Sequence, residues 1–141
     1  MSIFLLTLIA AIVSQILASI WYMPLFGKKW GKATGQTMPT DPEEIKKGRK
    51  AIWVSLALNF VGNLLMAFVL FLILAGFGAA TIPQALITAG VLFLGFAVPF
   101  QMGAVMWKGF SVKQQLQQFG ISAGFQLINF AVWALIFVWL M

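Results

Sequence analysis

Trp21-Tyr22-Met23-Pro24-Leu25-Phe26-Gly27-Lys28-Lys29-Trp30 marks the point at which this chain leaves a membrane, and the rest of the sequence can be placed from it. Residues 2–26 carry no charge, and seven Lys or Arg residues follow by position 50. An uncharged apolar run longer than ~20 residues suffices to cross a bilayer core as a helix. Trp21, Tyr22 and Trp30 suit the headgroup level, where an amphipathic ring keeps its polar edge wet. Pro24 removes a backbone donor, and Gly27 tolerates the left-handed backbone of a helix exit, so the first helix is expected to stop there.

Composition states the class. Of 141 residues, 62% are apolar and only 9% charged, against roughly 25% charged in soluble domains. This is the balance of an integral membrane protein. With no His and no Cys, the chain lacks the usual ligands of zinc, haem, copper and iron–sulfur centres, and thiol catalysis and disulfides are excluded. No metal or other cofactor and no catalytic residue is expected. The only acids, Asp41, Glu43 and Glu44, lie together in a polar segment, so no intramembrane carboxylate can relay protons. The net charge of +6 reads as juxtamembrane lysines facing anionic lipid headgroups rather than as a nucleic-acid surface.

Residues 1–26 read as a first transmembrane helix rather than a signal peptide: there is no positive n-region, and the apolar run is too long for an h-region. Along it Thr7, Ala11, Ser14 and Ala18 line up one small-residue face for close helix contact. The polar connection 27–50 holds all three acids and seven of the nine basic residues. Within it Asp41-Pro42-Glu43-Glu44 reads as a helix start, with Asp41 as N-cap and Glu44 closing a capping box.

Residues 51–107 then run without a charge, too long for one span and right for two with a tight turn at Gly76 to Pro83. Pro99, flanked by Gly95 and Gly103, predicts a kink in the third span. A second capping box, Ser111 with Gln114, predicts that the last helix starts near Val112 and enters the bilayer near Gln117 or Gln118. In that helix Gly120 and Gly124 form a G-x-x-x-G, with Ser122, Gln126 and Asn129 on the opposite side.

The expected fold is therefore an all-α integral membrane four-helix bundle, a single domain over 1–141 with spans at about 3–26, 51–75, 83–107 and 117–140. All nine basic residues lie in the first and third connections and none in the second. The positive-inside rule then puts 27–50 and 108–116 in the cytoplasm and both termini outside, as in a multi-pass protein of the cytoplasmic membrane.

Five amides fall within the spans: Gln15, Asn59, Asn63, Gln126 and Asn129. In hydrocarbon such groups seek partners, so they should face the bundle interior. Asn63 and Asn129, at one depth on separate helices, are expected to bond each other. As a set the amides read either as interhelical glue or as the lining of a cavity for a polar solute or lipid; an amide orients a ligand but exchanges no proton at neutral pH.

With the spans placed, the pattern resembles a bacterial family of small four-helix membrane proteins known as domain-of-unknown-function family 1761. The resemblance rests on W-Y-x-P-L-F-G-K-x-W, here Trp21, Tyr22, Pro24, Leu25, Phe26, Gly27, Lys28 and Trp30, and on Gly124-Phe125-Gln126-Leu127 after a short basic connection. It implies the four-helix fold and brings no activity, substrate or catalytic residue. The resulting expectation is a non-enzymatic membrane protein that acts by association, as a homo-oligomer or as a small subunit of a larger membrane complex. The alternative is a small channel or transporter working through an amide-lined cavity.

Overall fold

The structure, a computed structural model, describes residues 1–35 and 41–141; residues 36–40 of the polar connection lie outside the described residues. All the regular structure among the described residues is helical. Four helices are long and apolar enough to cross a membrane: Ile3–Leu25, Pro42–Gly76, Ile82–Met106 and Val112–Leu140. The four spans expected from the sequence are thus present, and the second is the end of a continuous 35-residue helix that starts in the polar connection.

Helix α1 (Ile3–Ile20) does not stop at Pro24 but widens into a π-type turn over Trp21–Leu25, where Phe26 N donates to Trp21 O at 2.9 Å. A looser turn accommodates a proline that has no N–H to give. Gly27 then opens a short amphipathic helix, α2 (Gly27–Thr34), instead of sitting in the left-handed conformation expected of it. Its glycine character answers a different need: a Cβ there would lie 3.2 Å from the main-chain oxygen of Tyr22. The left-handed exit belongs to Gly35, at φ +68°, which ends α2.

Helix α3 (Pro42–Gly76) is capped by Asp41, whose side chain accepts from Glu43 N at 3.1 Å; the expected reciprocal bond from Glu44 does not form. At its far end Gly78, at φ +64°, lets Ala79 N reach back to Leu74 O at 2.9 Å, which satisfies carbonyls the helix leaves open. Thr81 and Gln84 then form a capping box that starts α4 (Ile82–Leu92). The third span continues through a π-type turn, Phe93–Ala97, into α5 (Val98–Met106). Pro99 cannot donate to the preceding turn, and the widened turn absorbs the lost bond at the place where a kink was expected. The Ser111–Gln114 capping box starts α6 (Val112–Leu140) as predicted.

The apolar core joins all four spans near the uncharged end: Leu6 and Ala10 of α1, Phe71 and Leu74 of α3, Ala85 and Ala89 of α4, and Trp133, Ala134 and Phe137 of α6. Toward the basic end the packing divides. α3 packs chiefly on α1, α4 and α5 chiefly on α6, and α3 meets α4 only slightly. No residue of α3 before Asn63 is buried, and positions 51–59 are exposed without exception.

Candidate functional site

Two features stand out from ordinary packing: the polar side chains inside the membrane and an apolar cleft. The polar groups are organised by α6. At the middle of the bundle Ser14 of α1 and Asn129 of α6, both wholly buried, approach with Ser14 Oγ 2.7 Å from Asn129 Oδ1. The indole Nε1 of Trp133 donates to Ser14 Oγ at 2.7 Å, and Ser14 Oγ also lies 2.8 Å from Ala10 O. One hydroxyl proton can serve only one of those acceptors at a time, so Ser14 is the shared centre of the node. Asn129 is therefore not bonded to Asn63, contrary to the expectation from depth alone. Depth is read from position along a helix, but bonding depends on helix rotation and on which helix stands between; here α1 supplies the partner.

Asn59 pairs with Gln15 at 3.2 Å, joining the exposed part of α3 to α1. Asn63 is buried, with its Nδ2 unpartnered among the described residues, and so is the Oε1 of Gln126. The five predicted amides therefore do not converge on one cavity. Gln15 with Asn59 and Asn129 with Ser14 are two separate bridges.

The boundary motif folds back onto α6. The Trp21 indole donates from Nε1 to Ile121 O at 3.0 Å, and a Cβ on Gly124 would lie 3.2 Å from its ring. Tyr22 packs between Trp30 and Phe125, with ring centroids at 4.9 and 5.4 Å, and Trp21 lies 4.6 Å from Phe26. Pro24 and Lys28 are exposed. The stretch quoted first and the Gly124-Phe125-Gln126-Leu127 segment are thus the two halves of one contact, at which Gly124 admits an indole rather than a second helix.

Sequence reading missed the docking of α2. Gln118, buried, donates from Nε2 to Ala33 O, and Gln114 one turn earlier donates to Lys32 O at 3.4 Å, so two α6 amides cap the last carbonyls of α2. Gln101 of α5 donates to Ser122 O at 3.5 Å. The available signal was the spacing of four that joins Gln114, Gln118, Ser122 and Gln126 into one ridge.

The cleft, of about 540 Å³, opens between α3 and the third span. Leu65, Met66 and Val69 line one side, Phe96 and Phe100 the other, and Phe130 the floor; none of the five amides lines it. It follows directly from the divided packing of α3.

A four-helix membrane bundle with neutral polar bridges, a helix folded across its basic end and a lateral apolar cleft is the class these features define. Residues 5–138 match the family described as "Protein of unknown function (DUF1761)", so the chain belongs to that family, the one its sequence resembles. No curated protein and no solved structure matches it.

Proposed function

We propose that this protein is a non-enzymatic, multi-pass protein of a bacterial inner membrane that acts by association, either with copies of itself or as a small subunit of a larger membrane complex. The observation that carries this reading is the state of α3: positions 51–59 are all exposed, Ser55 among them, with Asn59 reaching Gln15 of α1, and the cleft further along the helix stands open. Polar groups on a lipid-facing helix gain most from a neighbouring helix, so the bundle has one face on which a partner would complete the packing. The carboxylates Asp41, Glu43 and Glu44 are exposed at the start of α3, away from the buried polar groups, which supports a role without acid–base chemistry. The basic segments 27–50 and 108–116 would face the cytoplasm and anionic headgroups, with both termini outside.

Because the chain has no cysteine, single-cysteine variants test this directly. In native membranes, oxidation should link L58C or L65C into dimers, or to a second protein, and leave L127C on α6 unlinked. Native mass spectrometry of the same protein in mild detergent would count copies and partners. A lone chain with no link at either α3 position would sink the proposal. The channel or transporter reading is favoured by one observation, the buried amide atoms without partners at Asn63, Gln101, Gln118, Gln126 and Asn129.

A further inference from the structure

The lateral cleft has two exposed walls and a closed back. Leu65 and Val69 of α3 stand exposed on one side, and Phe96 of the π-type turn and Phe100 of α5 are 73% and 78% exposed on the other, with Leu70 and Phe130 buried behind them. Every lining side chain is apolar, so the cleft offers a polar solute nothing to bond and suits hydrocarbon. Toward the basic end both walls continue in small residues. On α3, Lys47, Ala51, Ser55, Gly62 and Met66 follow at spacings of four and seven, so they share the face that borders the cleft. On α5, Gly103 and Ala104 follow Phe100 by three and four and are exposed. A Cβ on Gly62 or on Gly103 would meet nothing within 4 Å. Because α3 meets the third span only slightly, the cleft runs on as a groove toward the membrane surface.

Where the two walls reach that surface they are basic and aromatic. Lys47 and Lys50 on α3 and Lys108 just after α5 are exposed, and Trp53 and Trp107, one on each wall, are 72% and 89% exposed. Tryptophan takes the headgroup level, and a lysine stem lies along apolar surface while its ammonium stays at the headgroups, where it attracts anionic lipid. Asp41, Glu43 and Glu44 precede Lys47 at the start of α3 and so stand farther from the bilayer. The dimensions agree as well. α3 rises about 22 Å from Lys50 to Leu65, and one leaflet, half of a ~30 Å hydrocarbon core plus its headgroup layer, is about 20–22 Å deep. A lipid whose headgroup lies level with Lys50 and Lys108 therefore ends its chains where Leu65, Met66 and Phe100 begin the cleft.

We propose that this groove is a selective site for one anionic phospholipid of the leaflet at the basic end, with its headgroup on Lys47, Lys50 and Lys108 and the end of one acyl chain in the cleft. Any bilayer lipid supplies hydrocarbon to an apolar groove; the charged mouth on both walls is what selects the headgroup. A second copy in the same orientation would bring its own Lys47 and Lys50 to this mouth, where like charges repel, whereas an anionic headgroup neutralises them. The inference does not depend on whether the protein associates, because positions 51–59 are exposed on faces of α3 other than the one that borders the groove.

Nanodiscs of equimolar phosphatidylglycerol and phosphatidylethanolamine with matched chains test it, the lipids retained being read by native mass spectrometry. The unsubstituted protein should retain phosphatidylglycerol over phosphatidylethanolamine by at least about fivefold, and K47Q/K50Q/K108Q should lose that preference. V69W, which fills the cleft from its lipid side, should retain at least about fivefold less phosphatidylglycerol than V91W, a substitution on the exposed surface of the third span outside the cleft. Equal retention of the two lipids by the unsubstituted protein, or equal retention by V69W and V91W, would overturn the site. A phosphatidylglycerol carrying a diazirine at the end of one chain gives an independent reading on the unsubstituted protein in bilayers. It should label Leu65, Met66 or Phe100 in preference to Val91 and Leu127. Even labelling around the bundle, or a cleft left unlabelled because a second copy or another protein covers it, would overturn the proposal even if V69W failed to fold.

Discussion

Trp21 and Gly124 are in contact across the membrane interface: the indole lies where a Cβ on residue 124 would be 3.2 Å away, and its Nε1 donates to the neighbouring carbonyl of Ile121. One residue ends the first span and the other sits in the fourth, so this contact sets how the two meet. An alanine at 124 asks the ring to give by a few tenths of an ångström while improving helix propensity by about 0.8–1 kcal/mol, and the two effects should nearly cancel. Gly124→Leu has no such compensation and should cost about 1–3 kcal/mol by overpacking. Thermal unfolding in detergent should show a clear loss for G124L that W21A partly relieves. Equal losses in both backgrounds would mean that the contact carries no energy.

The Ser14–Asn129 bridge should behave as a coupled pair. Membrane hydrogen bonds average about 0.6 kcal/mol and reach about 1.7, and a double-mutant cycle of S14A and N129L should return a coupling in that range. The same cycle between N63L and N129L should return none, because neither side chain is the other's partner.

Gly27 should resist substitution for a reason of space. A Cβ would press on the Tyr22 carbonyl at 3.2 Å, a main-chain atom that cannot swing aside, so even Gly27→Ala should lower the melting temperature and Gly27→Val should lower it further. Were positive φ the cause, Asn would be tolerated better than Ala; with the helical backbone seen here, Asn should be the worse of the two.

Removing the Gln118 amide should free α2. Gln118→Leu leaves Ala33 O and its helix end without a donor, at a cost of about 1–3 kcal/mol, and amide exchange across Gly27–Thr34 should accelerate while the core of α6 stays protected. Uniform exchange changes along the chain would point to global destabilisation instead.

Orientation is checked from both sides of the membrane. A reporter fused at Met141 should lie outside, and one inserted near Thr37, a position outside the described residues, should lie in the cytoplasm. A cysteine at Ala79 that labels from the cytoplasmic side would reverse the assignment.

Span number, helix caps and the basic asymmetry were legible in the linear sequence because each is local. Uncharged runs set span length, Ser111 with Gln114 and Asp41 with Pro42 set helix starts, and lysine positions need no partner to be counted. The two stretches on which the family resemblance rests were legible too, as separate strings. Their union was not: whether Trp21 meets Gly124 depends on helix rotation, and a turn of one residue moves a side chain by 100° around the axis. The same reason explains why depth correctly placed Asn129 in the interior but named Asn63 instead of Ser14 as its partner. In hydrocarbon every face of a span is apolar, so the pattern that marks a buried face in a soluble helix is nearly silent here. Which helices touch, that α3 packs chiefly on α1, and which polar groups on α6 find partners were decided only when the four helices packed.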